Sequence, residues 1–149
     1  MGERINPPQS LTYYNAKTRR LEKRELKLGR GKITIINFWM TDCEPCRHEL
    51  PALLHLQRQL SQGLRPELVF VSEDTGAEEI LDFQGKSGLA FDTYVSEGGE
   101  MRRLLKIRDL PTTVVVDGAG RMTGCISGQL DSAKIDILLF LSALIAISG

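Results

Sequence analysis

The sequence predicts an α/β domain, a central mixed β-sheet flanked by helices and opened by an N-terminal β-hairpin. Three observations carry that reading. The run Ile33-Thr34-Ile35-Ile36-Asn37-Phe38-Trp39 is β-branched, aromatic and almost continuously apolar, which suits a strand covered on both faces. A helical stripe and then a second apolar run over residues 67–72 follow it, giving a β-α-β order. Cys43-Glu44-Pro45-Cys46 stands at the junction between the first strand and the helix.

Residues 1–10, with Pro7-Pro8 and a polar mixture, read as a loosely held leading segment, and residues 11–149 as one domain. Leu11-Thr12-Tyr13-Tyr14 and Arg20-Leu21-Glu22 form a hairpin across residues 15–18, and Gly29-Arg30-Gly31-Lys32 punctuates the chain before the first central strand. After Cys43, Leu50, Leu53, Leu54, Leu56 and Leu60 mark the apolar side of a helix, while Arg47, Glu49, Gln57, Arg58 and Gln59 stay polar. Pro51 should kink it, and residues 61–63 end it. Residues 77–86 form the next helix, 91–94 a short extended passage and 100–106 another short helix. Residues 112–116 and 122–126 make a hairpin across Asp117-Gly118-Ala119-Gly120, and a closing helix begins near Asp131, with Asp131 or Ser132 available as N-cap.

Size and composition exclude several classes. A chain of 149 residues buries about 70% of its unfolded surface, so it needs no disulfide staples to fold. Nineteen acidic and nineteen basic residues cancel, and the basic run over residues 17–24 is diluted by Glu22 and followed by Glu25. A solvated face is therefore expected there, with no nucleic acid as partner. The apolar stretch 137–147 would span about 17 Å as a helix against a hydrocarbon core of about 30 Å. No membrane span is expected; the segment reads as a core-packed terminal helix whose outer side is available for an oligomer or partner contact. The N-terminus lacks the apolar core of a secretory signal, which fits either a cytosolic protein or one whose signal or anchor has been removed.

The three cysteines, Cys43, Cys46 and Cys125, make one pair and one spare. A strand running into Cys-x-x-Cys and then a helix puts the first sulfur at the helix N-terminus, where free N–H groups and the helix dipole favour a thiolate. The second sulfur lies within one turn, in reach of a disulfide. Cys43 is the expected nucleophile and Cys46 the resolving thiol, with Pro45 stiffening the first turn. Zinc would need two further ligands at comparable spacing, and His48, His55 and Cys125 supply no second pair, so no metal is expected. Covalent haem would want His where Arg47 stands. A purely structural disulfide, in a module that binds or assembles, is the remaining alternative. Cys125 reads as a buried inert thiol in a strand, and His48 and His55 as helix-surface residues without a carboxylate partner.

The stretch from Asn37 to Pro51, together with Leu110-Pro111-Thr112-Thr113 and Asp117-Gly118-Ala119-Gly120-Arg121, resembles the TlpA/ResA-type branch of the thioredoxin superfamily, over residues 11–147. The resemblance implies a thioredoxin-like fold with a helical insertion between Val71 and Phe91. It implies a thiol-disulfide oxidoreductase whose only redox carrier is its own disulfide. Its partners would be a disulfide-containing protein substrate and an upstream redox protein. Family members are usually bacterial and extracytoplasmic, as in the periplasm, and often serve cytochrome c maturation. Pro111 matches the family's cis-proline, which turns Leu110 outward so that an extended substrate strand can pair beside Cys43. Trp39, Asp42, Glu44, Pro45, Leu110 and Pro111 make up the expected substrate-facing set. Glu73 matches an active-site glutamate and is expected to handle the proton of Cys46, with Asp74 as its rival and an exposed loop acid as the plain alternative.

The sequence also departs from the branch, which usually places Trp immediately before the first cysteine. Asp42 stands there, and Glu44 follows the cysteine. Two acids oppose the Cys43 thiolate and should raise its pKa, which favours the more stable disulfide of a reductant.

Overall fold

The computed structural model describes residues 2–60, 66–74, 76–131 and 133–137. Its seven strands are β1 (Leu11–Asn15), β2 (Arg20–Arg24), β3 (Thr34–Trp39), β4 (Glu67–Ser72), β5 (Thr93–Val95), β6 (Thr112–Val116) and β7 (Met122–Ser127). They form one mixed sheet in the order β2-β1-β5-β4-β3-β6-β7. Strands β3, β4 and β5 run parallel, and the hairpins β1–β2 and β6–β7 close the two flanks antiparallel. Helix α1 (Glu44–Leu60) links β3 to β4, and α2 (Ala77–Ser87) links β4 to β5. Both crossovers advance the same way across the sheet, so right-handed connections bring both helices to one face.

Side-chain alternation along β3 divides the core. Ile35 and Trp39 pack with Cys46, Leu50 and Leu53 of α1 and Ile80 of α2. Ile36 and Phe38 pack on the other face, with Val71 and with Met101 of α3 (Glu100–Leu104). All six residues of β3 are buried, as its continuous apolarity predicts.

Several boundaries differ from the pattern in the sequence. Strand β5 begins at Thr93 because the buried side chain of Gln84 takes the backbone of Phe91: its Nε2 donates to Phe91 O at 2.8 Å, and Phe91 N donates to its Oε1 at 3.0 Å. Helix α3 stops at Leu104, and Lys106 takes a left-handed turn with φ 55°. Helix α1, by contrast, contains Pro51 where the sequence pattern places it. The leading segment is bonded, against expectation: Gly2 N donates to Met122 O and Ile5 N to Gly120 O, both at 2.8 Å. Ile5 supplies the reason, being 7% exposed in the cluster around Leu11 and Leu26. Cys125 also departs from expectation, since the outer side of edge strand β7 is uncovered and leaves it exposed. Partial burial still pushes its thiol pKa up.

Asp131 caps a helical segment over residues 133–137, accepting from Lys134 N at 2.8 Å. The expected helix end at 61–63 and the apolar stretch 138–147 lie outside the described residues. Among the described residues no helix is long and apolar enough to cross a membrane.

Candidate active site

At the carboxyl end of β3 the chain leaves the sheet, passes Met40, Thr41 and Asp42, and enters α1 at Glu44. The two cysteines flank that entry and are joined, with Sγ atoms 2.11 Å and Cα atoms 5.2 Å apart. Cys46 is fully buried, whereas Cys43 is half-buried at the rim of the same cluster. Cys46 N donates to Cys43 Sγ at 3.3 Å, and Arg47 N to Cys43 O at 3.1 Å. The outer sulfur thus receives a helix-start N–H, the interaction that stabilises it when it becomes a thiolate. Pro45, exposed in the first turn, has no N–H to leave unpaired there.

The loop ahead of Cys43 is fixed by side chains. Asp74, fully buried, accepts from Thr41 N through both carboxylate oxygens at 3.1 and 3.2 Å, from Thr41 Oγ1 at 2.6 Å and from Ser72 Oγ. Arg47 Nη1 donates to Thr41 O at 2.9 Å.

Glu49, on the polar side of the helix by its sequence pattern, is 2% exposed. It follows Cys46 by three residues on one helix face, a spacing that sets Cβ atoms about 5–6 Å apart. Its Oε1 accepts from Asn37 Nδ2 at 2.8 Å and its Oε2 from Leu130 N at 2.7 Å. Asn37 also donates to Thr113 Oγ1 at 3.0 Å, tying β3, α1 and β6 together under the dithiol. Loss of water raises the Glu49 pKa, while the Leu130 and Asn37 bonds pull it back down. A signal was present in the sequence: Cys46, Glu49, Leu50 and Leu53 form one i, i+3, i+4, i+7 stripe, so an acid occupies an apolar position.

Glu73 is placed differently from its expected role beside Cys46. Its N–H continues the β3–β4 ladder, donating to Trp39 O at 2.8 Å, so strand alternation turns its side chain to the side of Val71 and α3. Cys46 and α1 lie on the opposite face. Glu73 is 9% exposed, and its two carboxyl oxygens are buried with no partner among the described residues. Burial pushes its pKa up to about 7; Arg102 and Arg103 oppose the shift, and Asp74 adds to it.

Trp39 is likewise a correction to the substrate-facing set. It is fully buried, donates Nε1–H to Thr93 Oγ1 at 3.1 Å, and has Phe83 and Phe91 at ring-centre distances of 5.3 and 5.2 Å. Asp42 and Glu44 are exposed beside Cys43, and His48 has Glu44 as carboxylate neighbour at 3.8 Å, a partner the i, i+4 spacing already offered. His55 is exposed.

The Leu110–Pro111 peptide bond is cis. Phe38 pairs with Thr112, which brings Pro111 to the sheet end where the chain leaves β3 for Cys43. Leu110 is half-buried and touches the cluster whose rim includes Cys43; Pro111 is buried, its carbonyl accepting from Gly128 N at 2.8 Å. Among the described residues no group of three or more His, Cys, Asp or Glu side chains is arranged to hold a metal.

The chain is similar to several known proteins. A family described as thioredoxin-like matches residues 31–122. The thioredoxin-like protein YneN of Bacillus subtilis is 30% identical over 133 residues, covering 89% of this chain and 78% of YneN. The thiol-disulfide oxidoreductase ResA of Bacillus thuringiensis subsp. konkukian is 28% identical over 116 residues, covering 77% of this chain and 66% of that protein. A Chlorobium tepidum structure described as a thiol:disulfide interchange protein DsbE superposes with a TM-score of 0.72 at 20% identity, covering 99% of both chains. With its disulfide at the start of α1, its mixed seven-stranded sheet and these relatives, the chain belongs to the thioredoxin-like family.

Proposed function

We propose that this chain is a thiol-disulfide oxidoreductase that reduces disulfides of protein substrates through Cys43 and Cys46. The observation that carries the reading is the asymmetry of the pair: an accessible sulfur at a helix start, and a buried one a turn from a buried carboxyl. In the reduced protein, the Cys43 thiolate attacks a substrate disulfide, forms a mixed disulfide and expels one substrate thiolate. Glu49 takes the Cys46 proton. Cys46 then attacks Cys43 Sγ, expelling the second substrate thiolate and closing the Cys43–Cys46 disulfide. Two electrons leave the chain, and an upstream dithiol protein must return them.

Asp42 and Glu44 support the reducing direction, since negative charge beside Cys43 disfavours its thiolate and so stabilises the disulfide relative to the dithiol. Leu110 and Pro111, which match the family's substrate-facing pair, would present a backbone edge on which an extended substrate segment pairs. No cofactor beyond the disulfide is needed for this cycle. The extracytoplasmic bacterial setting, and service to cytochrome c maturation, follow from the resemblance to the TlpA/ResA branch and belong to the same proposal.

One experiment tests the reading. Cys46→Ala should accumulate mixed disulfides with a disulfide-bonded model protein, and the wild-type pair should equilibrate between about −200 and −300 mV. A potential well below about −300 mV with no mixed disulfide trapped would assign the pair a structural role in a binding module.

A further inference from the structure

The β3–β4 ladder ends with Glu73 N donating to Trp39 O. Beyond that bond the chain on the β3 side departs for Cys43, and the side chain of Asp74 carries the link onward. It accepts from Thr41 N and Thr41 Oγ1, two residues before the sulfur, and is held from behind by Ser72 Oγ, whose oxygen in turn accepts from Asp74 N at 3.0 Å. A fully buried carboxylate is costly unless its oxygens are satisfied, so the four donor contacts and the loop position sustain each other. Arg47 adds a side-chain bond to this loop from the exposed side.

We propose that Asp74 is a positioning residue for exchange: through Thr41 it holds the turn that aims Cys43 Sγ, and its buried charge disfavours the Cys43 thiolate. The proposal rests on Cys43 being the attacking sulfur. The groups whose charge acts in the same neighbourhood are Asp42, Glu44, Arg47 and His48 around the loop, and Glu73, Arg102 and Arg103 beyond Asp74. Asp74 differs from the exposed acids in being both buried and bonded to the loop itself, so aim and charge can be separated by substitution.

The test uses the whole chain in its reduced form with Cys125 replaced by Ala throughout, so that only the dithiol reports, and compares Asp74→Asn, Thr41→Val and Thr41→Ser with the otherwise unaltered chain. Each is titrated by thiolate absorbance, and its rate with 5,5′-dithiobis(2-nitrobenzoate) is followed from pH 5 to 10. Asp74→Asn keeps an acceptor for Thr41 but removes the charge; the Cys43 pKa should fall, and the disulfide should become easier to reduce. A tenfold change in that equilibrium is about 30 mV. Thr41→Val keeps the charge and loses the hydroxyl bond; the limiting rate at high pH should fall about tenfold, and Thr41→Ser should restore it. Native-like folding of Thr41→Val with wild-type limiting rate, or an Asp74→Asn protein with unchanged Cys43 pKa, would overturn the proposal. An inert wild type would instead overturn the oxidoreductase reading, because it would fail before any variant is compared.

Discussion

Glu49 and Glu73 are both buried acids near the dithiol end of the sheet, and their surroundings give them different tasks. Glu49 is bonded on both oxygens and shares a helix face with Cys46, so it can take a proton and remain bonded. Glu49→Gln should slow closure of the disulfide from the mixed intermediate about 10²-fold, measured by stopped-flow release of the second substrate thiol. Glu73→Gln should leave the rate of that closure unchanged. Glu73 acts on stability instead. Its pKa is about 7 in the folded chain against an ordinary 4.5, so the folded state holds the proton over a pH range where the unfolded chain has lost it. The resulting cost is absent below pH 4.5, grows as pH rises and is complete above about 7. Glu73→Gln should therefore stabilise the protein by about 1–3 kcal/mol at pH 8 and by little at pH 4, as read from urea unfolding. Equal gains at both pH values would refute the assignment.

Elements were more legible than individual acids. Strand β3 announces itself by the run 33–39, in which Thr34 and Asn37 alone are polar, and Asn37 is the one that reaches Glu49. The dithiol, both crossovers and both hairpins follow from local pattern, because each depends on residues close in sequence. The start of β5 does not. Gln84 captures Phe91 from a helix seven residues back, and propensity contains no record of a side chain replacing a ladder bond. The face of Glu73 was hidden for a related reason: it depends on the β3–β4 register extending one bond past Ser72. Gln84→Leu should cost about 2–4 kcal/mol, since two buried backbone groups lose their partners, and should increase amide exchange at Phe91 above that at Tyr94. Uniform exchange across both residues would count against the bond's role.

For the whole molecule, the leading segment joins the far flank of the sheet, and Ile5 seats in the cluster below α3. Ile5→Ala should lower stability by about 2 kcal/mol and the unfolding midpoint by about 4–8 °C, with exchange kinetics unchanged at 25 °C. A calorimetric scan checks the first, and dithiol assays the second. Loss of exchange without loss of stability would contradict the separation of the two ends.

That separation has a mechanical meaning. Gly2, Glu3 and Ile5 are bonded to Gly120 and Met122, at the turn between β6 and β7. Pro111, at the dithiol end, lies one five-residue strand away, about 17 Å. A polypeptide joined ahead of Gly2 would moor the domain by its base. Cys43 would then look outward from the mooring, toward whatever diffuses past, and lengthening the line would change its reach without turning its face.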